Sequence, residues 1–121
     1  MTMRQAFAHS ALLEMPQEGD VAAPGAAITA TLCGHWRHDG PCPISPHHTQ
    51  STRDGALVHI RTLFAAEPAD EARIRRGIGE ALSSGDEPTP WRLISHQPSH
   101  VRQDEAAHAA RLVAAPAKGS G

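Results

Sequence analysis

Aromatic residues are what this sequence has least of. Phenylalanine, tryptophan and tyrosine make up 3% of its 121 residues, and tyrosine is absent. The core must therefore be built mainly from Leu, Ile, Val and Ala, with Trp36, Trp91, Phe7 and Phe64 as bulky exceptions. A domain of this size buries only about two thirds of the surface that its unfolded chain exposes. A bound metal ion would therefore add useful stability.

Long apolar runs are also missing. No stretch approaches the roughly 20 apolar residues of a membrane-spanning helix, and the first 20 residues lack the uninterrupted apolar region of a secretory signal. The net charge of −2 gives no reason to expect a membrane or nucleic acid as a partner. The three arginines of ARIRRG (72–77) follow acidic residues, and a solvated helix face explains them better than phosphate contact. We predict a cytoplasmic protein.

Familiar catalytic motifs are absent as well. The glycines form neither a P-loop nor a dinucleotide-binding pattern, and there is no H-E-x-x-H motif. No serine has the sequence context of a nucleophile elbow. These absences leave no catalytic residue to assign, and they make an enzyme the less favoured interpretation.

What the sequence does concentrate is soft metal ligands. The stretch LCGHWRHDGPCPISPHHT, 32–49, holds both cysteines and four of the nine histidines. Thiolate and imidazole are the usual zinc ligands, four to an ion, although the spacing matches no standard zinc finger. In a reducing compartment the two cysteines favour thiolate ligands over a disulfide; a disulfide and two unrelated buried thiols remain the alternatives. The candidate ligands are Cys33, His35, His38, Cys42, His47, His48 and, on the next predicted strand, His59.

Four protein ligands close a structural site, whereas a catalytic site keeps a position for water. We expect Cys33, Cys42, one of His35 or His38, and a fourth ligand from His47, His48 or His59. This composition predicts a structural zinc site in a small accessory protein. Its ordered loop and open sheet face would bind an unknown protein partner or a second copy of the chain. The alternatives are a metal-dependent hydrolase with a metal-activated water, and a protein of metal trafficking or sensing.

Hydrophobic periodicity predicts five elements. Alternation indicates strands at 27–35, 56–64 and 91–96, and helical spacing indicates helices over 68–83 and 103–114. The order β-β-α-β-α is typical of an α+β fold. We predict a small ββαβα sandwich of ferredoxin-like character, with the helices on one face of a three- to four-stranded sheet.

The domain boundaries follow from the breaks in this pattern. Residues 1–24 contain Pro16, Gly19 and Pro24, and these breakers predict a weakly ordered N-terminal segment. A single α+β domain should then span 25–115, with its Cys/His metal-binding loop at 33–48. Residues 116–121 should form a flexible tail.

Overall fold

The computed structural model describes residues 4–33, 46–83 and 91–114. A four-stranded antiparallel sheet and three α-helices make it an α+β fold. Single 3-10 turns, Pro68–Asp70 and Gln103–Glu105, precede the second and third helices. Along the chain the elements are β1 (Gln5–Glu14), α1 (Ala23–Cys33), β2 (His47–Asp54), β3 (Leu57–Ala66), α2 (Glu71–Ser83), β4 (Arg92–Ser99) and α3 (Ala106–Ala114).

The strands lie in the order β2-β3-β1-β4, so β2 and β4 form the two edges. Helices α1 and α2 cover one face, here called the α1/α2 face, and the core lies between them and the sheet. Helix α3 packs on the opposite face, here called the α3 face, against β3 and β1. The prediction that all helices share one face was therefore wrong for α3. The ion pair between Arg61 of β3 and Glu105, just before α3, lies on this second face.

The N-terminal segment is not weakly ordered, because Gln5–Glu14 forms β1 in the middle of the sheet. This strand pairs with β3 from Gln5↔Ala66 to Glu14↔Leu57, and with β4 along its other edge. Alternation puts Ala11 and Leu13 in the core, where the Leu13 side chain is completely buried. The sequence of residues 6–13 is also compatible with two helical turns. Hydrogen bonding to a strand on each side stabilises the extended conformation instead.

Ala23–Cys33 is a helix, so the strand predicted at 27–35 was wrong. Ile28 and Leu32 are both buried, and their spacing of four fits one helical face as well as one strand face. The alanine content favours the helix. The Asp20 carboxylate accepts a hydrogen bond from the Ala22 amide at 2.9 Å, just before the first turn.

Sequence periodicity also missed β2, which is polar and lies at a sheet edge. It joins β3 through a two-residue turn, Gly55-Ala56, between the paired residues Asp54 and Leu57. Gly55 has φ +63°, a conformation that glycine adopts at no steric cost. Glycine at the first of the two turn positions is a recognised hairpin signal.

The two most periodic elements are confirmed. Strand β3 buries Val58, Ile60 and Phe64 on the α1/α2 face. Helix α2 buries the predicted apolar stripe. Its Gly77 allows close packing against α1, since a Cβ at this position would lie 3.3 Å from the Leu32 Cδ2. The buried residues of that stripe are Ile74, Ile78, Ala81 and Leu82.

The central position of β1 gives a stability prediction. Replacing Leu13 by Ala should lower the free energy of unfolding by about 2–5 kcal/mol, because a fully buried leucine leaves a cavity. Urea denaturation measures the loss. Leu12→Ala is the matched control, since Leu12 points to the α3 face and is only partly buried; it should cost clearly less. Equal, small losses in the two variants would contradict the central placement of β1.

Candidate functional site

The predicted metal segment connects α1 to β2. Cys33 is the last residue of α1, and His47 is the first residue of β2. One helical turn before Cys33, the Thr29 hydroxyl lies 2.9 Å from the His47 Nε2. The Pro46 carbonyl accepts a hydrogen bond from the Ala65 amide of β3 at 2.9 Å. Both ends of the segment are therefore fixed close together.

The neighbouring histidines of β2 point to opposite faces of the sheet. His47 lies on the α1/α2 face beside Thr29, and His48 lies on the α3 face against His108, with 4.4 Å between ring centroids. An ion on one face of the strand therefore reaches only one of them. His48 is exposed, and His47 is half-buried.

His59 lies apart from His48 along the sheet. It is exposed on β3 opposite Thr52, whereas His48 is opposite Leu63. These positions are four residues apart, which corresponds to about 13 Å along the sheet. Two nitrogens bound to one zinc ion lie within roughly 4 Å of each other. His59 is thus too far from His48 to share an ion with it.

The remaining candidates, His35, His38 and Cys42, lie outside the described residues. Within residues 4–33, 46–83 and 91–114, no three Cys, His, Asp or Glu side chains are grouped closely enough to hold a metal ion.

A second polar cluster, which sequence reasoning missed, lies beneath α2. His9 of β1 is 3% exposed. Its Nδ1 is 3.0 Å from the Arg75 Nη1, and its Nε2 is 2.9 Å from the Nδ1 of His96 on β4. Three residues from three different elements therefore form one hydrogen-bonded chain, here called the His9 relay: Arg75, His9 and His96.

Arg75 is held in the relay from several directions. Its Nε donates to the Glu71 carboxylate at 2.8 Å, and its Nη1 also donates to the Ala8 carbonyl at 2.6 Å. The guanidinium lies over the rings of Phe7 and Phe64, 5.7 and 5.2 Å from their centroids. With 13% of its side chain exposed, Arg75 is not part of a solvated face, and that interpretation of the three arginines was wrong for it.

The charge of Arg75 and the burial of His9 act together on the imidazole. Burial, and then the nearby Arg75 and His96, lower the pKa of His9 from its ordinary 6.5 to about 4. His9 is therefore neutral at physiological pH. The sequence signal was a histidine inside an apolar alternation, Phe7-His9-Ala11-Leu13, which becomes visible once 5–14 is read as a strand.

A third polar group fixes α3 to the sheet. Arg61 donates from Nε and Nη2 to both carboxylate oxygens of Glu105, at 2.6 and 2.8 Å. This hydrogen bonding lowers the pKa of Glu105 to about 2. The same two residues line a polar pocket of about 260 Å³ with His48 and His108. Partial burial, with His48 nearby, lowers the pKa of His108.

Two comparisons of this chain with known sequences found no match. No protein-family model matches it, and no curated protein sequence does either. None of the helices in the described parts of the chain is long and apolar enough to cross a membrane.

The buried His9 predicts a loss of stability in mild acid. The unfolded chain takes up a proton at His9 below its ordinary pKa of 6.5, whereas the folded chain does so only near pH 4. The stability that depends on neutral His9 should be fully present above pH 6.5, and it should be lost as the pH drops from 6.5 towards 4. His9→Gln, which keeps polar hydrogen-bonding groups but does not titrate, should flatten this part of the curve. Urea denaturation at several pH values between 7 and 4 measures this curve. If the free energy of unfolding of His9→Gln falls with pH as steeply as that of wild type, His9 is not the group responsible.

Glu105 should act in a lower pH window. Its pKa falls from 4.5 in the unfolded chain to about 2 in the folded one, so the stability it contributes is present above pH 4.5 and is lost towards pH 2. Glu105→Gln should reduce the acid sensitivity below pH 4.5. Glu14→Gln removes an ion pair with Arg92 that is exposed on both sides and should change little. Similar curves for the two variants would refute a special role for the Arg61–Glu105 pair.

Proposed function

We propose that this protein is a small interaction domain in which the α1–β2 connection, residues 33–48, binds one structural zinc ion. The ion would order this connection for contact with a protein partner or a second copy of the chain. The hydrogen bond between Thr29 and His47 is the main support, because it fixes the end of α1 beside the start of β2. Ligands from both ends of the connection then start near one another.

We propose a specific set of four ligands. Cys33, Cys42 and one of His35 or His38 would come from the connection, and the fourth ligand would be His47 or His48. His59 is the less favoured fourth ligand, because it lies four residues from His48 along the sheet. Two thiolates and two imidazoles complete a tetrahedron and leave no position for water, which favours a structural ion over a catalytic one.

Two further parts of the proposal concern the fold and the compartment. We propose a ferredoxin-like arrangement, and the order β-α-β-β-α-β that precedes α3 supports it. We also propose the cytoplasm, since two thiols intended as metal ligands must stay reduced. Neither part depends on the identity of the partner.

Native mass spectrometry of protein purified without added metal tests the zinc proposal. Wild type should carry one zinc per chain, and Cys33→Ser should carry none, because a thiolate is lost from a four-ligand site. His59→Gln is the matched control and should keep the ion, since His59 is not one of the four proposed ligands. The same spectra should show the mass of a dimer if the partner is a second copy.

Three results would contradict the proposal. A wild-type mass two units light without metal would indicate a disulfide between the cysteines. A wild-type chain of full mass without zinc would show that the cysteines and histidines of this segment bind no metal and form no disulfide. Loss of zinc in His59→Gln, with Cys33→Ser unaffected, would place the ion elsewhere.

A further inference from the structure

The His9 relay ends at the surface, in a groove between α2 and the edge strand β4. The groove has a volume of about 570 Å³, and His96 lies exposed in its wall. Strand β4 is at the opposite edge of the sheet from β2, so the groove lies away from His47 and His48. The lining residues are Arg76, Gly79, Glu80, Ser83 and His96.

The relay fixes where the proton of His96 lies. An arginine only donates hydrogen bonds, so the Nδ1 of His9 must accept from Arg75. Neutral His9 then carries its proton on Nε2, and this N–H donates a hydrogen bond to the Nδ1 of His96. His96 in turn carries its proton on Nε2. Because its Nδ1 lone pair already accepts a hydrogen bond, His96 is a donor in the groove and not a base.

Gly79 of α2 makes room for this imidazole. A Cβ at position 79 would lie 2.7 Å from the Cε1 and 2.9 Å from the Nε2 of His96. Those distances are too short for any side chain to be added without moving the ring. The His96 ring can therefore occupy this position only because residue 79 of α2 is a glycine.

We propose that this groove binds a small oxyanion, a carboxylate or a phosphate, through the His96 Nε2–H and the Arg76 guanidinium. A neutral imidazole donor beside an arginine offers charge-assisted hydrogen bonds to such a group. The Ser83 hydroxyl donates to the Gly79 carbonyl at 2.8 Å, so its oxygen remains an acceptor for a ligand hydroxyl. Glu80 adds a negative charge to the lining, which favours singly charged ligands over doubly charged ones.

Nitrogen NMR of the histidine rings tests the proposal, with inorganic phosphate and acetate as separate probes. The His96 signals should show Nε2 protonated and Nδ1 unprotonated, and one of the two anions should shift them saturably. Arg76→Gln should weaken the binding about tenfold, as the loss of a charge-assisted hydrogen bond implies. Arg73→Gln is the control on the same helix. It is exposed, pairs with Asp70 and should leave the binding unchanged.

Substitutions of the two glycines of α2 separate the groove from the helix itself. Gly79→Ala should abolish binding, because the new methyl group displaces the imidazole, whereas Gly77→Ala faces Leu32 and should preserve it. Backbone spectra of each variant establish that it is folded. Glu80→Gln should tighten binding.

The two probes also distinguish the sources of the oxyanion. Stronger binding of phosphate supports a phosphate-bearing ligand, and stronger binding of acetate supports a carboxylate. The proposal is overturned if His96 carries its proton on Nδ1, if neither anion gives a saturable shift, or if folded Arg76→Gln and Gly79→Ala bind as wild type does.

Discussion

The pairing of β1 on both edges is the constraint on which the rest of the structure depends. A strand hydrogen-bonded on both sides cannot change its register without losing two ladders, so its alternation decides which side chains enter the core. That alternation sends Phe7, Ala11 and Leu13 to the α1/α2 face, and it sends His9 there as well. A buried imidazole without partners would cost about 1–3 kcal/mol. Arg75 and His96 avoid this cost, because they are the hydrogen-bond partners of the two His9 ring nitrogens.

The arginine that satisfies His9 has to be satisfied in turn. A guanidinium loses much of its hydration in this position, and the Glu71 carboxylate, the Ala8 carbonyl and two phenylalanine rings replace the water. Such buried pairs add little net stability, because desolvation offsets most of the attraction. Their effect is on geometry. The relay fixes the orientation of one imidazole at the surface, and it explains why a protein with four bulky aromatic residues places two of them, Phe7 and Phe64, beside the same cation.

How much of this could be predicted depends on what each pattern encodes. Strand β3 and helix α2 were predictable because burial on one full face leaves a clean period in the sequence. Helix α1 was not, since Ile28 and Leu32 fit both periods, and the alanine content and the contact with α2 together favour the helix. Strand β2 is a polar edge with little period of its own, and its place is set by the Gly55 turn. The thiol and imidazole cluster is visible in sequence, whereas the His9 relay joins residues up to 87 positions apart and needs the fold.

Each of the two proposed sites draws a histidine from an edge strand of the sheet, His47 from β2 and His96 from β4. An edge strand is held in register by one neighbour, so its side chains are well placed, while its open side remains accessible to solvent and ligands. The His47 ring on β2 is hydrogen-bonded to Thr29 of α1, and the His96 ring on β4 is hydrogen-bonded to the buried His9. The paired strands β3 and β1 separate the two edges. An ion bound by His47 would therefore lie at the opposite edge of the sheet from His96, and its binding should leave the His96 imidazole in place.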